Sequence, residues 1–314
     1  MPDRYTKADD FLHPDGGDLK FQDSHWLQWH DVDHGIGGFH RLAIHPTLGM
    51  STYSCGVLTH AGDRFRAWGW EIPWSPVEAQ AYVVSDAQRI VLEDDGWQLQ
   101  VREPDCELDL LWQEYNPMFS YAAEETVAAA HFEGAGTVTG TVRLGAQTFE
   151  VTGAAFRDRS WGARDYPSIA AHRWFAGTFG EDLSFSAVTL MFADGRLHRD
   201  GVLLDNGKLF RTNEVDIVVH QEADAFSHRG GTLTLRFADH DEFHVAASAI
   251  DGIAFPVAGG RLYPVDTLCV AQAGERHGVC NVEVSNNLHN LADGNPPDRH
   301  ALAAAVRDGL SRRA

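Results

Sequence analysis

Asp-Gly and Asn-Gly steps set between short alternating runs constrain this chain more than anything else in it. Arg89 to Val101 reads as a strand, a turn at Asp94-Asp95-Gly96 and a returning strand. Val202 to Phe210 repeats the pattern around Asp205-Asn206-Gly207. Such residues accept the left-handed backbone that tight hairpin turns require. Thr232 to Phe237 alternates, turns at Asp239-His240-Asp241 and returns through Phe243 and Val245, and Val138 to Val151 turns at Gly145-Ala146. This spacing predicts an all-β sandwich or barrel, not strands alternating with long helices. Two stretches carry helix signals. Tyr121 to His131 reads as a short helix or equally as a strand entry. Leu302, Ala305, Val306 and Leu310 share one helical face after Pro296-Pro297, with Arg312 and Arg313 in the last turn, which predicts a short C-terminal helix.

At about 150 residues per domain, the 314 residues suggest two domains or one large one. All nine tryptophans fall at or before Trp174, so the halves differ in composition. No linker or exact repeat separates them, and the coarse division is 1–155 and 156–314.

Charge narrows the partners. Twenty-five Lys and Arg stand against 45 Asp and Glu, a net −20. Binding to phosphates needs clustered cations, so nucleic acid and anionic membrane surfaces are not expected partners. Met1 to Asp10 is charged and lacks the apolar core of a signal peptide. No run approaches the roughly 18 apolar residues of a membrane span, so no integral membrane association is expected. Cys55, Cys106, Cys269 and Cys280 make no C-x-x-C pair and read as reduced thiols. A cytoplasmic location is expected, and a homo-oligomer is left open.

Cofactor signatures are missing. Gly134-Ala135-Gly136-Thr137-Val138-Thr139-Gly140 has the wrong glycine spacing for a dinucleotide loop and leads into a strand. Seventeen histidines include His25, His30, His34, His40 and His45, yet no zinc spacing occurs. On a strand His30 and His34 would sit roughly 13 Å apart, too far to share one ion. Neither a metal nor another cofactor is expected.

The densest chemistry is Phe156-Arg157-Asp158-Arg159-Ser160-Trp161-Gly162-Ala163-Arg164-Asp165. One reading is a salt-bridged strand end. The other is a carboxylic acid held among cations and an aromatic wall. Arg157-Asp158-Arg159-Ser160-Trp161-Gly162 resembles the R/H-D-H/R-S/N-W-G signature of carotenoid hydratase-like proteins. Gly35 to Arg41, the hairpin from Glu133 to Gly153, Trp174 to Phe179, and Gly274 to Glu283 resemble further elements of an uncharacterised bacterial branch, over roughly residues 20 to 290.

The resemblance implies two lipocalin-like antiparallel β-barrel or sheet halves, and the position of Asp158 matches the acid that protonates an alkene. That family usually has a tyrosine where this chain has Phe156, so a hydroxyl partner is lost. Shared architecture also includes cofactor-free cyclases of the Diels–Alderase type. The expected activity is a cofactor-independent lyase, a hydratase or dehydratase, acting on a hydrophobic small molecule such as a terpenoid, another isoprenoid or an aromatic. A non-catalytic carrier of apolar ligands and a cofactor-free cyclase or isomerase are the alternatives. Asp158 is the expected acid if burial raises its pKa; Arg157, Arg159 and Arg164 would push the other way. His40 and His30 are second-rank acid/base candidates. Trp161, Trp174, Phe156, Arg157 and Arg164 are expected to line the substrate.

Overall fold

The computed structural model describes residues 5–75, 81–93, 96–120, 128–222, 227–255, 257 and 262–287. Nearly all of them form antiparallel strands, and helix is confined to three short 3-10 turns at Lys7–Asp10, Pro46–Leu48 and Tyr166–Ser168. The C-terminal helix expected around 302–310 lies outside the described residues, as does Tyr121 to Val127. Ala130 and His131 open a strand instead of closing a helix.

The strands are β1 (Phe21–Asp31), β2 (Ile36–His45), β3 (Met50–Thr59), β4 (Arg64–Pro73), β5 (Ala81–Ser85), β6 (Gln88–Glu93), β7 (Gly96–Glu103), β8 (Cys106–Glu114), β9 (Phe119–Ser120), β10 (Ala130–Leu144) and β11 (Gln147–Ala163). These form one sheet in the order β4-β3-β2-β1-β11-β10-β8-β7-β6-β5, with β9 on β10. There follow β12 (Ile169–Thr178), β13 (Leu183–Phe192), β14 (Leu197–Asp205), β15 (Lys208–Thr212), β16 (Glu214–Gln221), β17 (His228–Arg236), β18 (Phe243–Ala254), β19 (Leu262–Ala273) and β20 (Arg276–Asn287). Their order, β15-β14-β13-β12-β20-β19-β18-β17-β16, repeats that of the first sheet without its β5 and β9. Each sheet curls into a nearly closed, barrel-like form. The expected all-β pair of lipocalin-like halves is therefore present, and a repeat invisible in the residues is plain in the topology.

The hairpin signals fall where the turns are. Asn206 and Gly207 both have positive φ, 50° and 77°, and join β14 to β15. Gly145, φ 58°, closes β10 onto β11, the longest pairing in the chain. The two compact units divide at Arg164/Asp165. A cut at 155 would fall inside β11, which pairs along its length with β1 and β10. The first unit has a buried core around Trp29, Leu42, Val57, Leu108, Trp112 and Val138. The second is built on Phe175, Phe185, Leu203, Leu233, Val245 and Val282.

Candidate active site

Strand alternation sorts the charged segment of β11 into two faces, because successive side chains point to opposite sides of a sheet. Arg157, Arg159 and Trp161 fall on one face and Phe156, Asp158 and Ser160 on the other. Register then builds the neighbourhood of Asp158. It stands opposite Glu133 of β10 on one side and Trp26 of β1 on the other. Trp26 in turn stands opposite Arg41 of β2. His131 lies two residues before Glu133 and so shares its face.

These residues meet. His131 Nε2 is 2.6 Å from Asp158 Oδ2 and 3.3 Å from Glu133 Oε1. The Glu133 side chain is fully buried, while His131 and Asp158 keep 14% and 16% exposure, enough for a ligand to touch both. Burial pushes the Asp158 carboxyl up, but the His131 contact, then Arg164 and Arg41, overcome it and hold the group below its ordinary 3.8. Burial pulls His131 down, and Asp158 and then Glu133 outweigh it, so its pKa lies above the ordinary 6.5 despite Arg164. The proton of the pair therefore sits on the imidazole. Asp158 is the carboxylate that holds it, in place of the raised-pKa acid expected from burial beside Phe156 and Trp161. One donor atom from each of His131, Glu133 and Asp158 lies within 4.8 Å of the others, a hard oxygen and nitrogen set able to hold a divalent cation.

The other expected residues distribute differently. Phe156 shares the Asp158 face, stands opposite Gln28 and contacts Phe119 at 6.4 Å between ring centroids. Arg164 acts on both members of the pair and donates from Nη2 to Ser160 Oγ at 3.0 Å. Arg157 points to the opposite face. Its Nη2 contacts Asp10 Oδ1 at 2.7 Å and the Tyr5 hydroxyl, with the guanidinium over the ring of Trp97. Arg159 pairs with Asp23 at 2.6 Å and donates to the backbone carbonyls of Asp9 and Phe11. Trp161 stacks on His13 with centroids 3.6 Å apart. Arg157, Arg159 and Trp161 thus grip the segment 5–13 on the far side of the sheet from Asp158.

His40 also faces away, accepting a hydrogen bond from Trp29 Nε1 at 2.9 Å, and burial pushes its pKa down to about 3. His30 is on the Trp26 face of β1 but four residues further on, with its Nε2 2.8 Å from His60 Nε2. Trp174 belongs to the second unit, where it stands opposite Glu283 and donates to Ser186 Oγ. Sequence reasoning missed His131, Glu133 and Arg41. The available signal was the His-Phe-Glu alternation at 131–133, legible only once that stretch is read as strand.

The family model described as "Domain of unknown function (DUF7064)" matches residues 6–288. No curated protein matches the sequence. Among solved structures, a candidate AttH from Nitrosomonas europaea superposes with a TM-score of 0.67 at 13% identity, over 91% of this chain and 97% of that one. CghA crystallised with Sch210972 gives 0.65 at 11% identity, over 88% and 90%. Kievitone hydratase from Nectria haematococca gives 0.59 at 9% identity, over 84% and 88%. At these identities the likeness is one of fold.

Proposed function

We propose that this chain, which belongs to the DUF7064 family, is a cofactor-independent lyase of the hydratase or dehydratase type, acting by proton transfer on a hydrophobic small molecule. The observation behind this reading is the His131–Asp158 contact at 2.6 Å, reinforced by Glu133 and left partly open. A protonated imidazole is an acid suited to neutral pH. In hydration, the Nε2 proton goes to an alkene carbon, and the other carbon becomes a cation. Water adds to that cation and returns a proton to the imidazole, so no net charge accumulates. Dehydration runs the same steps backwards. Asp158 and Glu133 hold the imidazolium and disperse its charge, and Trp26 offers its π face on the same side of the sheet. The fold likeness to a hydratase is consistent with this class of activity.

The test is deuterium incorporation from heavy water into a panel of unsaturated and hydroxylated aromatic and isoprenoid compounds, read by mass spectrometry. Exchange should fall about 10²–10⁴-fold in His131→Gln and Asp158→Asn, read at a temperature where both variants remain folded. Undiminished exchange in both variants would return the pair to a structural role. Exchange that survives mutation of neither residue but disappears on exhaustive chelation would assign the three donors to a divalent cation. A specific apolar ligand bound without any exchange would favour the carrier.

A further inference from the structure

Gln28 is 2% exposed, and neither its Nε2 nor its Oε1 has a hydrogen-bond partner among the described residues. An unsatisfied buried amide is costly, and buried polar side chains almost always find a partner. Its position gives the unpaired amide a meaning. Gln28 stands between Phe156 of β11 and Phe39 of β2, on the face of the sheet that carries Asp158. Trp26, two residues before it on the same face, stands opposite Asp158 and packs on Phe39 at 6.4 Å. Gln28 and Asp158 are therefore diagonal neighbours, about 7–8 Å apart. Two other polar groups of this face are engaged: Ser24 Oγ and Ser160 Oγ lie 3.2 Å apart, and Ser160 also accepts from Arg164.

We infer that Gln28 is the substrate-positioning residue of this site and that the substrate carries a neutral oxygen function, a phenol or hydroxyl, a few bonds from the carbon that exchanges its proton. The inference rests on the reading of the Asp158 face as the ligand site. A carboxamide offers one acceptor and two donors. A hydroxyl answers both kinds, donating to Oε1 and accepting from Nε2. A hydrocarbon answers neither and would leave the amide buried and unpaired. Phe39, Phe156 and Trp26 supply the apolar wall around that polar point, the usual composition of a small-molecule site. The substrate class is thereby narrowed from any isoprenoid or aromatic molecule to an oxygenated one. Charge agrees with a neutral oxygen, because the acids of this face are already engaged by His131, Arg164 and Arg41.

The experiment is equilibrium dialysis of the full chain with naphthalene and with β-naphthol, which differ by one hydroxyl. β-Naphthol should bind about tenfold more tightly, the worth of one to two buried hydrogen bonds. Gln28→Leu and Gln28→Met should abolish the difference by weakening β-naphthol alone. Their melting temperatures should hold or rise, since each removes an unsatisfied amide. Equal affinity for the two compounds in the unmodified chain overturns the inference. So does a preference that survives both substitutions, or a failure of either compound to bind, in which case an ordered water alone satisfies the amide. A melting temperature that falls in both variants assigns Gln28 to the fold instead. His131→Gln should lose proton exchange and keep the β-naphthol preference, so exchange left undiminished in that variant with the preference intact would sink the lyase reading and leave this one standing.

Discussion

On the first strand of each sheet a tryptophan stands opposite a carboxylate. Trp26 faces Asp158 in the first sheet, and Trp174 faces Glu283 in the second. Each carboxylate has a histidine, His131 at 2.6 Å and His172 at 2.9 Å. Two residues beyond the tryptophan the halves part. The first has Gln28 opposite Phe156, with its amide open. The second has Ala176 opposite Asn281, whose amide is closed by Asp266 and by the backbone N–H of Thr267, both at 2.9 Å. The Ser285 hydroxyl also donates to Glu283. The second copy closes the amide at this place in the register, and the first leaves the Gln28 amide without a partner among the described residues. A duplicated topology thus keeps a closed version of this position beside one whose amide remains available.

The widest test of that contrast is to disarm both carboxylates. Asp158→Asn should lower proton exchange about 10²–10⁴-fold, the usual cost of losing acid–base catalysis. Glu283→Gln should leave exchange unchanged and act on melting temperature alone. Equal losses of exchange would show that both sheets contribute to the reaction and would break the comparison.

The faces turned away from the site differ as well. In the first sheet Arg159 and Asp23 form an ion pair with both side chains fully buried. The second sheet has Phe185 and Phe175 in its core. Arg159→Met should cost about 3–5 kcal/mol in chemical denaturation, chiefly because the buried Asp23 charge loses its guanidinium and keeps only His13 and Tyr82. Part of that loss should be recovered on acidification, as Asp23 takes up a proton. Phe185→Ala should cost a similar amount, about 3–5 kcal/mol, through a cavity, and no part of it should depend on acid. A pH-independent loss in Arg159→Met would place its role in packing.

Most of the fold was legible in the residues, because turn chemistry is local. Gly145-Ala146 and Asn206-Gly207 each fix a hairpin within a few positions, while Asp94 and Asp95 lie outside the described residues. The site was legible in one strand only. Asp158 announces itself within a charged run, but its face follows from alternation, and that alternation removes Arg157, Arg159 and Trp161 from its surroundings. His131, Glu133, Arg41 and Gln28 arrive from three other strands by pairing. Pairing is non-local, and single-residue spacing cannot reveal it. The direction of the Asp158 shift depends on that pairing too: burial alone would raise it, and the histidine from β10 reverses the sign.

The His131–Asp158 contact also predicts a stability window that the second sheet need not share. Asp158 is held below its ordinary 3.8, so its contribution is present above that value and is lost as pH falls through the lowered pKa. His131 is held above its ordinary 6.5, so its contribution is complete below that value and fades as pH rises through the raised pKa. Asp158→Asn should therefore destabilise the chain most between these limits and progressively less beyond either one. Proton exchange should decline on the alkaline side with a midpoint above 6.5. A destabilisation that is flat with pH would remove the ion pair from the account of the first sheet.

The smallest expected effects serve as the control. Gly145, φ 58°, and Gly207, φ 77°, turn one hairpin in each sheet, and a Cβ on either would meet nothing within 4 Å. Replacement by alanine therefore introduces only left-handed backbone strain, about 1 kcal/mol at each position. The two losses should match, because neither turn touches the polar groups that distinguish the halves. Gly162 is the opposite case. It also has positive φ, but a Cβ there would lie 2.4 Å from the backbone nitrogen of Ala129, so Gly162→Ala must displace the chain entering β10. If Gly145→Ala cost as much as Gly162→Ala while Gly207→Ala stayed small, the first sheet would be the less tolerant of the two throughout. The difference between the halves would then be one of overall packing, and the open amide of Gln28 would lose its claim to explain it.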